Sequence, residues 1–76
     1  MQATIVGFSK FQSRDGRNFA NIYCTAPGRQ SDVGDRAFSC FVSDSYPIFN
    51  LLQDKKILGT QITVFFVNNQ YRVAEE

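Results

Sequence analysis

The chain has 76 residues and a formal net charge of +1 at pH 7, and it holds eight Phe and three Tyr but no Trp and no His. This length predicts a single domain, residues 1–76, near the lower size limit at which a core alone stabilises a fold. The low net charge excludes a strongly basic nucleic-acid-binding protein, so any attraction for a polyanion must be local. The aromatic content exceeds the needs of so small a core, and we expect some rings to be exposed or interfacial.

The first predicted element is a β-hairpin over residues 8–23, whose turn is marked by Asp15-Gly16, a dipeptide suited to a two-residue loop. Closing the loop there pairs, on one face of the hairpin, Phe8 with Tyr23, Lys10 with Asn21, Gln12 with Phe19 and Arg14 with Arg17. The other face collects the predicted core residues Ile5, Gly7, Ser9, Phe11, Ala20, Ile22, Cys24 and Ala26. A four-residue loop keeps this pairing, whereas a three-residue loop shifts the register by one and scrambles the faces.

A polar loop of balanced charge is predicted over residues 27–36, followed by a third strand over residues 37–43. One face of this strand is apolar, and the other is mostly small and polar with Phe41 upon it. Asp32 and Asp35 in the loop have no third ligand nearby, so we interpret them as solvated turn residues and expect no metal site.

The segment after the third strand predicts one short amphipathic α-helix. Asp44-Ser45-Tyr46-Pro47 offers capping side chains and a proline suited to a first helical turn. Lys55 and Lys56 are expected at its carboxyl end, where cations favour the helix dipole, and Gly59 ends the segment. Its apolar positions are Ile48, Phe49, Leu51 and Leu52.

The last predicted element is a second hairpin, with strands over residues 60–67 and 70–74 and a turn at Asn68-Asn69. Pairing across this turn places Phe66 opposite Tyr71 and Val64 opposite Val73 on a core face. On the reverse face it pairs Phe65 with Arg72 and Val67 with Gln70.

The predicted order is strand, strand, strand, helix, strand, strand. This is the chain order of an OB-fold, an all-β five-stranded Greek-key barrel whose face around strands 2 and 3 binds oligonucleotides or oligosaccharides. Gly7 fits this fold, because the first strand of a small barrel bends sharply and glycine permits a β-bulge there.

Enzymatic functions are not favoured by the sequence. It offers no His, no paired carboxylates at a recognisable spacing and no Gly-rich phosphate loop, so we expect a binding protein without a cofactor. Cys24 and Cys40 are interpreted as reduced thiols, with a disulfide between neighbouring strands as the alternative. The first residues lack the features of a signal peptide, and no apolar stretch approaches the roughly 20 residues of a membrane helix, so a soluble, cytoplasmic protein is expected.

Two functions from different classes follow from the first hairpin. Alternating cations and rings suit a single-stranded nucleic acid, DNA or RNA, because rings stack on bases while Arg and Lys neutralise phosphates. The alternative is a protein-interaction or self-association module in which the same aromatics form a contact patch rimmed by charge. The predicted nucleic-acid surface consists of Lys10, Arg14, Arg17, Phe19, Asn21, Tyr23 and Phe41.

Residues Gly16-Arg17-Asn18-Phe19, just after the first turn, resemble the Gly-Lys-Pro-Tyr stretch of the filamentous-phage gene V type of single-stranded DNA-binding protein, a small dimeric OB-fold. The resemblance implies cooperative coating of single-stranded DNA, as in phage or plasmid replication, with Arg17 contacting phosphate and Phe19 stacking on a base. The chain departs from that family in its low basicity, its acidic end and its helix between strands 3 and 4.

We also expect a homodimer, since the ring surface exceeds what the core can hold and large apolar patches are unusual on monomers. The candidate interface is the outer face of the second hairpin, where Phe65 lies beside Val67 and opposite Arg72.

Overall fold

The computed structural model of the protein describes residues 1–28 and 33–74. Its strands are β1 (Gln2–Gln12), β2 (Asn18–Pro27), β3 (Asp35–Ser43), β4 (Gln61–Val67) and β5 (Gln70–Val73), with short 3₁₀ helices at Pro47–Leu51 and Lys55–Ile57. They form one antiparallel sheet in the order β3-β2-β1-β4-β5. β3 and β5, at the two ends of that order, contact each other through Phe38 and Tyr71, whose rings stack 4.0 Å apart. The expected all-β, five-stranded, barrel-like fold is confirmed.

β1 is shared between two neighbouring strands, and a β-bulge lets it turn from one to the other. Its first residues pair with β4, and the rest pairs with β2. The register with β2 shifts between Ile5 and Gly7, so Val6 is the extra residue. A Cβ at Gly7 would lie 3.3 Å from Cδ2 of Tyr23. Glycine is therefore favoured both by the bend and by the close approach of a ring, and the expected bulge at Gly7 is confirmed.

The core is aliphatic and made of small side chains. None of the eleven aromatic side chains, all of which lie in the described residues, is fully buried. Phe8, Phe38, Tyr46, Phe49 and Tyr71 pack partly buried around this core. The expectation that ring surface exceeds the core is therefore correct. The buried residues are Ala3, Ile5, Ala20, Ile22, Cys24, Ala26, Cys40, Val42, Leu52, Ile57, Val64 and Val73.

The first hairpin has a different register from the predicted one. Its loop comprises the five residues 13–17, closed by hydrogen bonds from Ser13 N to Arg17 O at 2.8 Å and from Gly16 N to Ser13 O at 3.1 Å. The Ser13 hydroxyl donates to the Asp15 carboxylate, which also pairs with Arg17 Nε at 3.2 Å. These polar contacts stabilise a five-residue loop in place of the two-residue loop predicted from Asp15-Gly16. Because the loop has an odd number of residues, the pairing moves by one residue.

The register shift changes the neighbours of every β1 residue beyond the bulge. Gln12 pairs with Asn18, Phe11 with Phe19, Lys10 with Ala20, Ser9 with Asn21, Phe8 with Ile22 and Gly7 with Tyr23. The predicted pairs of Phe8 with Tyr23, Lys10 with Asn21, Gln12 with Phe19 and Arg14 with Arg17 are therefore wrong. Gly7, Ser9 and Phe11 were also wrongly assigned to the core face, whereas Ile5 and the predicted β2 core residues are buried as expected.

Two 3₁₀ helices replace the predicted α-helix. Pro47 begins the first, as expected, but the Asp54 carboxylate accepts a hydrogen bond from Lys56 N at 2.8 Å and starts a second helix that contains Lys55 and Lys56. Residues three apart share a face of a 3₁₀ helix. Leu52 accordingly lies buried beside the partly buried Phe49, while Leu51 is 62 % exposed.

The second hairpin has the predicted register throughout. Val64 pairs with Val73, Phe65 with Arg72, Phe66 with Tyr71 and Val67 with Gln70. Asn68 and Asn69 adopt φ angles of 51° and 62°, the left-handed backbone that a two-residue loop requires. Phe66 lies on the predicted core face but is 52 % exposed, with its ring 4.9 Å from that of Tyr71.

The predicted loop over residues 27–36 is shorter in the structure, because β2 extends to Pro27 and β3 begins at Asp35. Asp32 lies outside the described residues.

Cys24 and Cys40 are free and buried, as expected of reduced thiols. The neighbouring Cys24 thiol, together with burial, raises the pKa of the Cys40 thiol. No helix in the described part of the chain is long and apolar enough to span a membrane.

Ile22→Ala tests the face assignment of β2. Ile22 is fully buried, so its truncation should lower the free energy of unfolding by about 2–5 kcal/mol. Ser39→Ala on the exposed face of β3 is the control and should change it by less than about 0.5 kcal/mol. Denaturant unfolding of both variants measures the difference, and a tolerated Ile22→Ala would show that the faces are reversed.

Candidate nucleic-acid interface

The outer surface of β1, β2 and β3 carries four aromatic rings around an amide. Phe11 comes from β1, Phe19, Asn21 and Tyr23 from β2, and Phe41 from β3. We call these five residues the aromatic face. They share one side of the sheet because side chains alternate along each strand, so that Ala20, Ile22 and Cys24 point inward between them.

Three of the rings form one continuous cluster. The ring centroids of Phe19 and Phe41 lie 5.0 Å apart in a stacked arrangement, and that of Phe11 lies 5.8 Å from Phe19 and 6.0 Å from Phe41. Aromatic pairs at such distances contribute about 0.5–1.5 kcal/mol beyond the area that they bury. The cluster is therefore held in place by its own contacts before any ligand arrives.

The fourth ring, Tyr23, is held separately. It lies over the bare backbone of Gly7, and its hydroxyl is 3.1 Å from that of Ser9. Both partners are β1 residues that the bulge brings to this side of the sheet. Tyr23 thus has one ring surface covered and remains 44 % exposed.

The aromatic face is open to solvent although it is mostly apolar. Phe11 is 43 % and Phe41 54 % exposed, while Phe19 is partly buried between them. Contiguous exposed apolar patches are unusual on small proteins and mark binding surfaces. The arrangement can supply flat surfaces for stacking, but the four rings themselves carry no charge.

Positive charge lies at one end of the aromatic face. Arg14 and Arg17 are exposed in the turn at residues 13–17. Only one residue pair, Gln12 with Asn18, separates this turn from the pair of Phe11 and Phe19. Arg17 is 75 % exposed and pairs with Asp15. The hydrogen bond from Ser13 lowers the pKa of Asp15, so this carboxylate stays charged beside Arg17 to a lower pH than an ordinary aspartate would.

The structure brings together four of the seven residues predicted for the nucleic-acid surface, namely Phe19, Asn21, Tyr23 and Phe41. Arg14 and Arg17 lie at the adjoining turn. Lys10 does not belong to this surface: it lies on the opposite side of the sheet, with Nζ 4.7 Å from the centroid of the Phe49 ring. Ser9 takes the position opposite Asn21 that Lys10 was expected to hold, and Phe11, predicted as core, lies opposite Phe19 in place of Gln12. An odd loop length would have revealed this, because it places Phe11 opposite Phe19.

No group of three or more His, Cys, Asp or Glu side chains that could hold a metal ion occurs within residues 1–28 and 33–74. A cavity of about 460 Å³ lies elsewhere, between the first 3₁₀ helix and β4, and includes none of the aromatic face.

Comparison of the chain with protein-family models, with curated proteins and with solved structures gives no match.

Ser13→Ala tests the electrostatics of the turn. Losing the hydroxyl donor removes the largest cause of the lowered pKa of Asp15, so this pKa should rise toward the ordinary aspartate value of 3.8. A depressed native pKa stabilises the fold above the unfolded pKa, and this contribution disappears as pH falls through the native value. An NMR titration of Asp15 measures the change, with Ser39→Ala as control. An unchanged Asp15 pKa in Ser13→Ala would refute the assigned cause.

Proposed function

We propose that this protein binds single-stranded DNA along the aromatic face. Bases stack on Phe11, Phe41 and Tyr23, and phosphates contact Arg14 and Arg17 at the hairpin turn. The observation that carries the proposal is the presence of three large exposed rings on one surface of the sheet, next to two exposed cations. In this proposal the protein is cytoplasmic. It coats single strands, as the resemblance of residues 16–19 to the gene V family implies.

The magnitudes are compatible with the low net charge of the chain. Stacking on an aromatic side chain contributes about 1–3 kcal/mol per base without regard to sequence. Three rings therefore supply most of the affinity, and only a few phosphates need a cation. Duplex DNA would bind poorly, because its bases are already stacked and paired.

A protein-interaction module is the second candidate function, and the close packing of Phe11, Phe19 and Phe41 favours it. A continuous apolar centre with charges only at its edge is the pattern of a protein interface. The two functions differ in their dependence on salt and on Arg17, since a partner protein buried against the rings needs no counterion release.

We propose further that the protein acts as a homodimer through the outer face of the second hairpin. Phe65 and Val67 are 46 % and 38 % exposed on that face, and Arg72 donates a hydrogen bond to the Gln70 amide oxygen at 3.3 Å. A two-fold contact there would bring the two copies of Phe65 together and leave both aromatic faces free.

Comparing Arg17→Ala with Lys10→Ala tests the phosphate contacts, because each variant removes one cation from the same hairpin. For fluorescent oligo-dT, the slope of log affinity against log salt should decrease by about 0.7 in Arg17→Ala and stay unchanged in Lys10→Ala. Titrations at several salt concentrations provide both slopes. Equal slopes in the two variants, or equal affinity of the native protein for duplex and single strands, would contradict the proposal.

Phe41→Ala tests stacking and should weaken binding of oligo-dT by about 1–3 kcal/mol. Phe66→Ala is a matched control, since the two rings are 54 % and 52 % exposed but only Phe41 belongs to the aromatic face. Fluorescence titration gives the affinities, and thermal melts establish that both variants fold. A similar loss in both variants would show that the aromatic face is not the binding surface.

Sedimentation tests the dimer. The native protein should sediment as a dimer at about 100 μM, well above the dissociation constant of a stable dimer. Phe65→Asp should be monomeric, because the substitution would place two carboxylates together at the two-fold axis. A monomeric native protein would refute the interface and leave the aromatic face unaffected.

A further inference from the structure

Asn21 occupies the centre of the aromatic face. It lies on β2, the strand between β1 and β3, directly opposite Ser9 on one side and Phe41 on the other. Phe19 and Tyr23 are its neighbours along the same side of β2. Its side chain is half-buried among these residues.

The Asn21 carboxamide has no hydrogen-bond partner among the described residues, whereas two hydroxyl groups near it do. The Ser9 hydroxyl is engaged with Tyr23 and the Ser43 hydroxyl with Ser45, at 3.1 and 2.7 Å. Within the part of the chain that the structure describes, the Asn21 side chain makes no hydrogen bond, so water must satisfy it in the free protein.

Ligand binding would change the surroundings of this amide. A base that stacks on Phe41, which is paired with Asn21, or on Tyr23, two residues along β2, displaces water from the surface around Asn21. A polar group that loses water without gaining a partner is destabilising, so the bound base must supply both a donor and an acceptor. A carboxamide donates through Nδ2 and accepts through Oδ1, and nucleobase edges present adjacent donors and acceptors that match it.

We infer that Asn21 is the specificity-determining residue of the aromatic face, and that it hydrogen-bonds the edge of a stacked base. This inference rests on the proposed function. In this inference the rings bind any flat group by stacking. The amide distinguishes a nucleobase from an apolar ring of the same shape.

The experiment compares two short oligonucleotides of equal length and charge. One is oligo-dT, and in the other every thymine is replaced by difluorotoluene, which keeps the shape of thymine and lacks its strong donors and acceptors. Stacking and phosphate contacts are retained in both. The native protein should bind oligo-dT about three- to tenfold more tightly, the size expected for one net hydrogen bond.

In Asn21→Ala this preference should fall to less than about twofold. Asn21→Leu keeps the side-chain volume and should behave in the same way, which guards against an effect of altered packing. Ser39→Ala, opposite Tyr23 on the same side of the sheet, is the control and should keep the native preference.

Each outcome decides the inference. A native protein that binds both oligonucleotides equally, or an Asn21→Ala variant that keeps the preference, would overturn the role of Asn21 while leaving binding at the aromatic face intact. A native protein that binds neither oligonucleotide would overturn the proposed function and this inference with it.

Discussion

The core of this barrel is built from aliphatic and small side chains with no fully buried ring, and the placement of the aromatic residues depends on that constraint. Its buried positions are filled by Ile, Val, Leu, Ala and Cys, and even Phe8 and Phe38 stay at the margins. Eleven rings therefore have to lie on the outside or at the ends of the barrel. The aromatic face is the largest group of these rings. The candidate ligand surface thus exists because the aromatic side chains are left out of the core.

The bulge at Val6 determines which residues of β1 belong to that surface. Before it, Ile5 points inward opposite Cys24; after it, Gly7, Ser9 and Phe11 lie on the outer side. Because of this one extra residue, the same strand contributes Ile5 to the core, Gly7 to the contact with the Tyr23 ring and Phe11 to the ring cluster. A straight β1 would turn Phe11 away from Phe19 and leave Tyr23 without Gly7 beneath it.

The parts of the fold that depend on side-chain alternation or on a short, well-defined turn could be predicted from the sequence. β2 and β3 alternate clearly, and Asn68-Asn69 fixes the second hairpin without ambiguity. The first hairpin could not be predicted, because the polar contacts among Ser13, Asp15 and Arg17 lengthen its loop and the residue count alone does not show this. Lys10 and Phe11 consequently each lie on the face of the sheet opposite to the predicted one. Similarly, Asp54 interrupts the expected α-helix by starting a new turn.

The strand order also implies a sequence of events in folding. β1, β2 and β3 are joined by neighbouring connections, so the aromatic face is assembled from contacts that are close along the chain. Closing the barrel instead needs β4 and β5, and the hydrogen bond from the Met1 amine to Val64 O spans 63 positions. Contacts of such separation form slowly, because a long loop must be closed first. Contact order therefore favours formation of the β1–β3 meander before closure of the barrel, and in that order the apolar inner side of the meander stays exposed until the second hairpin packs against it.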